Sequence, residues 1–252
     1  MVARASQQAA YPRHARRWHI NWRLLWAWCL LLVLVVLLAL GVKKLQDPQT
    51  LPIKQIQVLG TFAHIDQNEL RKVVAKTVRG GYFNVNVDEV QQAVKAIPWV
   101  DNDSVRRIWP DTLAIEVSEQ QTQAVWAKGG LVNLQGVLFF PARDTYPKGL
   151  PLFDGPSGTE RNLTETYQLA KSIISPLQLQ IQEIHMDSRR AISLKLDNGI
   201  EVILGRDDTR IRLERFTRVY RKLLAQRAND IARVDLRYSN GLAVGWRTPH
   251  TS

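Results

Sequence analysis

Residues 24–42 read LLWAWCLLLVLVVLLALGV, nineteen consecutive positions without a charged side chain. As an α-helix this run would be roughly 28 Å long, close to the ~30 Å hydrocarbon core of a bilayer. Only 23 residues precede the run, whereas 210 follow it. The run therefore predicts a single transmembrane helix that separates a short head from a large body.

The charges on either side of this run indicate its orientation. Residues 1–23 carry five arginines and no acid, and three lysines follow the run up to residue 54. Because cytoplasmic flanks are enriched in Lys and Arg, this excess favours a cytoplasmic N-terminus. We predict a basic cytoplasmic segment over 1–23, the membrane helix over 24–42 and a Pro-containing linker over 43–51.

A cleaved signal peptide is the alternative interpretation of the apolar run. Arginines lead into it, and Ala39-Leu40-Gly41 resembles a small-x-small cleavage site. The apolar cores of secretory signals are usually ~7–15 residues long, however, and this run is longer. We interpret it as an uncleaved anchor, which a mature N-terminus at Val42 would contradict.

The remaining 201 residues are enough for one large domain or two small ones. Residues 1–51 contain seven basic residues and one acid, so they supply +6 of the net charge of +11. In the body, basic and acidic residues are mixed along the sequence. This distribution favours an anionic membrane surface over nucleic acid. The single cysteine, Cys29, lies in the apolar run, so the body has no thiol and suits an oxidising compartment, although it would also suit the cytoplasm.

Hydrophobic periodicity divides the body into two α+β units. Residues 52–119 predict the order β-α-α-β-β, with a D-x-x-E capping-box-like pattern at 66–69 before the first helix. Residues 120–247 predict a mostly antiparallel β unit with two helices, and residues 248–252 form a tail. In this second unit we expect a loop over 141–158, a helix capped by Thr159, and a helix over 209–226 with Leu223 on its apolar side.

Motifs for catalysis or ligation are missing from the body. It contains no H-E-x-x-H, G-x-S-x-G, G-x-G-x-x-G or P-loop pattern, and no cysteine nucleophile. Its adjacent acids, Asp88-Glu89 and Asp207-Asp208, fall at predicted helix starts, where a helix dipole favours them. We therefore expect no enzymatic activity, no metal site and no cofactor, and a function in binding.

The last predicted strand, 242–246, is the best candidate for a binding element. A final strand is often a sheet edge, and an edge offers unpaired N–H and C=O groups to a partner strand. Tyr238 and Trp246 could be exposed hot-spot aromatics or ordinary core residues, and Arg237 and Arg190 could pair with carboxylates or be solvated. The residues alone leave these alternatives open.

Five segments, in this order along the chain, resemble those of a known protein family. They are IPWV at 97–100, SVRRIWPDTL at 104–113, LGR at 204–206, VDLRY at 234–238 and GLAVGW at 241–246. Together with the single anchor and the two units, they closely resemble the FtsQ/DivIB family of bacterial cell-division proteins, particularly its Gram-negative form.

The resemblance implies a POTRA domain over 52–119 and a β domain over 120–247, both in the periplasm. It implies a non-enzymatic inner-membrane scaffold that binds the coiled-coil division proteins FtsB and FtsL at the septum, where a segment of FtsB adds to the last strand of the β domain. The partner-binding residues it implies are Tyr238, Trp246, Arg237, Arg190, Gly241 and Val244. Asn240 departs from the serine expected at that turn.

The resemblance also links Val105 and Arg107, in the POTRA unit, to recruitment by upstream division proteins. A second interpretation of the chain is a POTRA-containing component of an envelope protein assembly or secretion machine. About 125 residues with two helices are too few for the many-stranded barrel of such proteins. An anchored hydrolase is the third, and the missing catalytic motifs argue against it.

Overall fold

A computed structural model describes residues 22–45 and 50–247 of the chain. Helix α1, Trp22–Leu45, contains the whole predicted apolar run. Its stretch Leu25–Lys44 has a mean hydropathy of 2.8, and none of it is buried against other described residues. α1 is therefore long and apolar enough to cross a membrane. The predicted segment up to residue 21, the middle of the linker and the tail 248–252 lie outside the described residues.

The first unit of the body has the predicted order β-α-α-β-β. Its elements are β1 Gln55–Leu59, α2 Gln67–Thr77, α3 Val87–Lys95, β2 Val100–Ile108 and β3 Thr112–Glu119. The sheet order is β1-β3-β2, with β1 parallel and β2 antiparallel to β3. The two helices bury Leu70, Val74, Val90 and Val94 against the sheet. Apolar residues at helical spacing thus produce the predicted α+β packing.

Asp66 is the N-cap residue of α2, as the predicted pattern requires, but its side chain bonds to Asn68 and not to Glu69, the acid of that pattern. The Asp66 side chain accepts a hydrogen bond from the Asn68 backbone N–H, at 2.8 Å. It thereby satisfies one of the N–H groups that a helix start leaves without an intrahelical partner.

The second unit is built on a nine-stranded sheet. Its strands are β4 Thr122–Trp126, β5 Leu131–Asn133, β6 Leu138–Phe139, β7 Leu152–Asp154, β8 Ile181–Met186, β9 Ile192–Leu196, β10 Glu201–Gly205, β11 Ile231–Asp235 and β12 Ala243–Trp246. The sheet order is β12-β11-β10-β9-β8-β7-β4-β5-β6. Five of its eight described pairings are antiparallel, as predicted for most of this sheet. Helices α4, Glu160–Ile174, and α5, Thr209–Val219, contribute Leu163, Phe216 and other residues to one apolar core.

The prediction of a loop over 141–158 is wrong in part. β7 lies inside it and runs parallel to both β4 and β8, so it joins the two halves of the sheet. Its Phe153 is fully buried. A three-residue strand between prolines and glycines is too short to show a periodic pattern, which explains the miss.

The cap of α4 also differs from the prediction. Thr159 stands at the N-cap position, but its hydroxyl donates to the Pro156 carbonyl at 2.6 Å and makes no hydrogen bond to the helix N–H groups. The position is right and the capping contact is wrong.

The long basic helix predicted over 209–226 changes form midway. After α5 the chain makes a π-helical turn, Tyr220–Leu224, followed by 3-10 turns over Ala225–Asp230. A π turn inserts an extra residue per turn and shifts the following side chains around the axis. Consequently Leu224 is buried and the predicted core residue Leu223 is 71% exposed, which corrects that prediction.

Trp99 joins the two units of the body. Its indole Nε1–H donates to Thr145 Oγ1 at 3.0 Å, and its ring meets Phe139 edge to face with centroids 5.4 Å apart. The His64 ring stacks on it at 4.1 Å. The units therefore share a packed, hydrogen-bonded junction.

Glu119, at the end of β3, fixes the loop that carries His64. Its Oε1 accepts from the backbone N–H groups of Ala63, His64 and Ile65 at 2.8–2.9 Å. Partial burial raises the pKa of the Glu119 carboxyl, but these hydrogen bonds outweigh it and leave the pKa below its usual value.

Candidate functional site

β12 forms one edge of the nine-stranded sheet. It pairs antiparallel with β11, with Val244 opposite Val234 and Ala243 opposite Asp235. Its other side pairs with no strand among residues 22–45 and 50–247. An edge of this kind presents backbone N–H and C=O groups that a partner strand can pair with.

Tyr238 and Trp246 lie at the two ends of this edge and are both exposed. The exposed fractions are 58% for Tyr238 and 49% for Trp246. The alternative in which both are core aromatics is therefore wrong. Val244, between them, packs partly against the core and anchors the strand. The edge thus combines a fixed backbone with two large amphipathic rings, the side chains enriched in binding hot spots.

Arg227 partly covers Trp246. Its guanidinium carbon lies 4.4 Å from the centroid of the Trp246 ring, a cation–π distance. Arg227 also donates from Nε to Asp230 Oδ2 at 3.2 Å, which holds it in place. One face of the indole is therefore occupied by a cation in the free protein.

Arg237 is exposed but already paired. Its guanidinium donates to both carboxylate oxygens of Asp235, including Nη2 to Oδ2 at 2.6 Å. These hydrogen bonds hold the pKa of the nearly buried Asp235 carboxyl below its usual value, and the same pairing raises the pKa of Arg237. The arginine thus presents a fixed positive group beside Tyr238.

Arg215 positions the turn that leads into β12, and sequence reasoning missed it. From α5, its Nη1 donates to the carbonyls of Tyr238 and Gly241 at 2.7 and 3.0 Å, and its Nη2 donates to Ser239 at 2.7 Å. The only signal in the sequence was a generally basic helix. Three carbonyls on one guanidinium fix the course of the chain between β11 and β12.

No neighbouring atom crowds the position of Gly241 in the free protein. A Cβ built there would meet no other atom within 4 Å, and its φ lies outside the left-handed region. The space beside this position is open. The free protein therefore gives no steric reason for a glycine at 241.

Arg190 lies at the same end of the sheet but in another turn. It is exposed between β8 and β9, with a φ of 65°. Ile192 is opposite Gly205, and Ile203 is opposite Asp235, so the turns after β8, β10 and β11 share one end of the sheet. β9 is three strand positions from β12, about 14 Å across the sheet. Arg190 and Arg237 could therefore be reached by one extended partner.

Val105 and Arg107 lie on β2, an edge of the first unit's sheet. Val105 packs partly against that unit's core. Arg107 is exposed and donates from Nη2 to the Val85 carbonyl at 2.9 Å. Their role in recruitment stays a prediction.

Two profiles of protein families match the body. Residues 51–120 match "POTRA domain, FtsQ-type", and residues 124–237 match "Cell division protein FtsQ/DivIB, C-terminal". The chain belongs to the FtsQ/DivIB family. The second match ends at Arg237, so β12 lies beyond it.

Similar proteins support the same family. The chain is 37% identical to the cell division protein FtsQ of Coxiella burnetii over 217 residues, which cover 86% of this chain and 89% of that protein. It is 36% identical to FtsQ of Xanthomonas campestris over 193 residues, covering 77% and 69% of the two chains. FtsQ of Hahella chejuensis is 32% identical over 221 residues, covering 88% and 77%.

FtsQ/DivIB membership gives the two units and α1 a common role. The first unit is a POTRA domain, and the chain is a cell-division protein of the divisome. The family and the apolar N-terminal helix fit a single-pass membrane protein. Within the described ranges, no group of three or more His, Cys, Asp or Glu residues could hold a metal ion.

Proposed function

We propose that this chain is a non-enzymatic scaffold of the bacterial divisome that captures FtsB, together with FtsL, by strand addition to β12. It links early and late division proteins during septum formation. The observation that carries the proposal is the free edge of β12, flanked by exposed Tyr238 and Trp246.

Strand addition divides the work of recognition between backbone and side chains. Backbone hydrogen bonds along β12 set the register of an incoming FtsB strand. Tyr238 and Trp246 supply buried area at either end, and fixed Arg237 and, farther along, Arg190 select acidic residues of the partner. Gly241 leaves room at the turn, and Val244 keeps the strand seated on the core.

The proposed location follows from the charges around α1. The excess of N-terminal arginines supports a cytoplasmic location for residues 1–23 and a periplasmic one for the POTRA and β domains, 52–119 and 120–247. The protein then acts at the septum of the inner membrane. Val105 and Arg107 on the exposed edge β2 would contribute to its recruitment there.

In-cell photocrosslinking tests this proposal. A photoreactive residue with a large aromatic side chain replaces Trp246, so that the position keeps a ring. A matched protein carries the same residue at Leu223, which is also exposed, at the π-helical turn. We expect FtsB to be captured from position 246 and not from 223. Capture of a barrel subunit or of a substrate at 246 would instead support an envelope-assembly component or an enzyme.

A further inference from the structure

Three segments meet at the end of the POTRA domain where the chain enters it. The Leu51 carbonyl accepts from the Tyr82 N–H at 2.8 Å, which joins the entering chain to the α2–α3 loop. The Asp111 carbonyl accepts from the Lys54 N–H at 2.9 Å, which joins it to the β2–β3 turn. We call residues 51–54, 79–85 and 107–111 the entry rim.

The entry rim exposes two aromatic side chains, one of which, Phe83, meets the neighbouring Tyr82 ring edge to face at 5.3 Å. Trp109, in the β2–β3 turn, is 71% exposed, and Phe83, in the α2–α3 loop, is 48% exposed. Neither contributes to the apolar core of its own domain. Arg107 Nη2 donates to the Val85 carbonyl at 2.9 Å and thereby joins the segments that carry the two rings, which places both rings at one end of the domain.

Three basic residues lie on the entry rim together with these aromatics. Lys54, Arg79 and Arg107 are all exposed on the entry rim. The acid of the rim, Asp111, lies 4.0 Å from Lys54 Nζ, and two further acids begin α3 nearby. Exposed aromatic rings beside cationic side chains are the combination found where proteins meet the headgroup layer of a membrane.

The chain itself keeps the entry rim close to a bilayer. α1 ends at Leu45, and only five residue steps separate Leu45 from Thr50. Fully extended, they span at most about 18 Å. The headgroup layer extends roughly 5–8 Å beyond the hydrocarbon core on each side. The rim is therefore the part of the body that the tether holds nearest to the membrane surface.

We propose that the entry rim docks on the headgroup layer of the leaflet in which α1 ends. Trp109 and Phe83 insert among the headgroups, and Lys54 and Arg79 face anionic lipid phosphates. The docked rim gives the body a second membrane contact besides α1 and fixes the tilt of the POTRA domain. The proposal rests on α1 crossing the membrane and is independent of FtsB binding.

Spin-label accessibility on the full chain tests this proposal. Cys29→Ser removes the native thiol, and a nitroxide is attached at Phe83→Cys, with Trp109 intact. The control label is at Asp101→Cys, which is exposed at the opposite end of β2, about 27 Å from Trp109. Both proteins are placed in nanodiscs of phosphatidylethanolamine with phosphatidylglycerol, and in nanodiscs of phosphatidylcholine alone.

We expect the label at 83 to collide less with a soluble nickel chelate and more with oxygen than the label at 101. The shift should weaken in phosphatidylcholine and be lost with Trp109→Ser or Arg79→Glu, two exposed substitutions that leave the core intact. Equal, aqueous accessibility at 83 and 101 in both nanodiscs would overturn the proposal. A label at 83 that is accessible to the nickel chelate in nanodiscs but shielded from it in native membranes would also overturn the proposal. The entry rim would then contact another protein and not the lipid.

Discussion

The Arg237 guanidinium donates hydrogen bonds to both carboxylate oxygens of Asp235, with Nε 2.9 Å from Oδ1 and Nη2 2.6 Å from Oδ2. The carboxylate is nearly buried at the end of β11, whereas most of the Arg237 side chain faces solvent. The pair therefore anchors the cation at one place beside the β12 edge. An acidic partner would meet a guanidinium whose orientation is already set, which lowers the entropy cost of binding.

The pairing of Asp235 with Arg237 should appear in the pH dependence of stability. Because the pKa of folded Asp235 is lowered, its contribution is present above the ordinary Asp pKa and is lost as the pH falls through the folded value. We expect Asp235→Asn to lower the free energy of unfolding by about 1 kcal/mol at neutral pH. In denaturant titrations the difference from wild type should shrink as the pH falls below the ordinary Asp pKa and through the lowered folded value.

The control for this effect is Asp230→Asn, which removes an exposed carboxylate that pairs with Arg227. It should change stability by less than about 0.5 kcal/mol at neutral or acidic pH. A loss in Asp235→Asn that stays the same size in acid would show that the carboxylate charge is not its source.

Removing either exposed aromatic of the edge should weaken FtsB binding by roughly 30-fold or more without unfolding the protein. Neither Tyr238 nor Trp246 is buried, so truncation leaves no cavity, whereas hot-spot truncations cost about 2 kcal/mol or more, roughly 30-fold in affinity. Tyr238→Ala and Trp246→Ala are compared by calorimetric titration with an FtsB fragment, with Leu223→Ala as the control. Unchanged affinity at an unchanged melting temperature would remove these residues from the site.

Arg215 should stabilise the turn that leads into β12. Arg215→Ala deprives the carbonyls of Tyr238, Ser239 and Gly241 of their shared donor and frees the turn before β12. We expect about 1–3 kcal/mol of lost stability and faster amide exchange over 238–242. Arg218→Ala, an exposed arginine of the same helix, should do neither, and equal effects of the two would refute a positioning role.

Local sequence patterns predicted most of the helices and strands, but not the side-chain contacts between elements that are distant in the sequence. Helix and strand periods gave the POTRA order, and the final strand was expected at an edge. The sequence analysis missed β7 because a three-residue strand is too short to show a period, although its Phe153 is fully buried. The sequence did not reveal the role of Arg215, because its acceptors lie 23–26 residues away and are brought to it only by tertiary packing.

The π-helical turn makes a sharp test of side-chain register. A regular helix through 209–226 would bury Leu223, whereas the observed turn buries Leu224 and exposes Leu223. We expect Leu224→Ala to lower the free energy of unfolding by about 2–4 kcal/mol and Leu223→Ala by less than about 0.5 kcal/mol. A larger loss of stability for Leu223→Ala than for Leu224→Ala in denaturant titrations would instead support a regular helix over 209–226.

Glu119 should stabilise the junction between the two units through the backbone it holds. Glu119→Ala leaves the N–H groups of Ala63, His64 and Ile65 without their carboxylate acceptor, and frees the His64 ring that stacks on Trp99. We expect a loss of about 2 kcal/mol and faster amide exchange over 63–65.

Glu116 provides the matched control, because it lies on the same strand with its side chain exposed. Glu116→Ala should cost less than about 0.5 kcal/mol and leave exchange over 63–65 unchanged. Since Trp99 also donates to Thr145 in the second unit, the Glu119 variant should further speed exchange near residue 145. Faster exchange confined to 63–65 would mean that the loop is held by Glu119 but does not brace the junction.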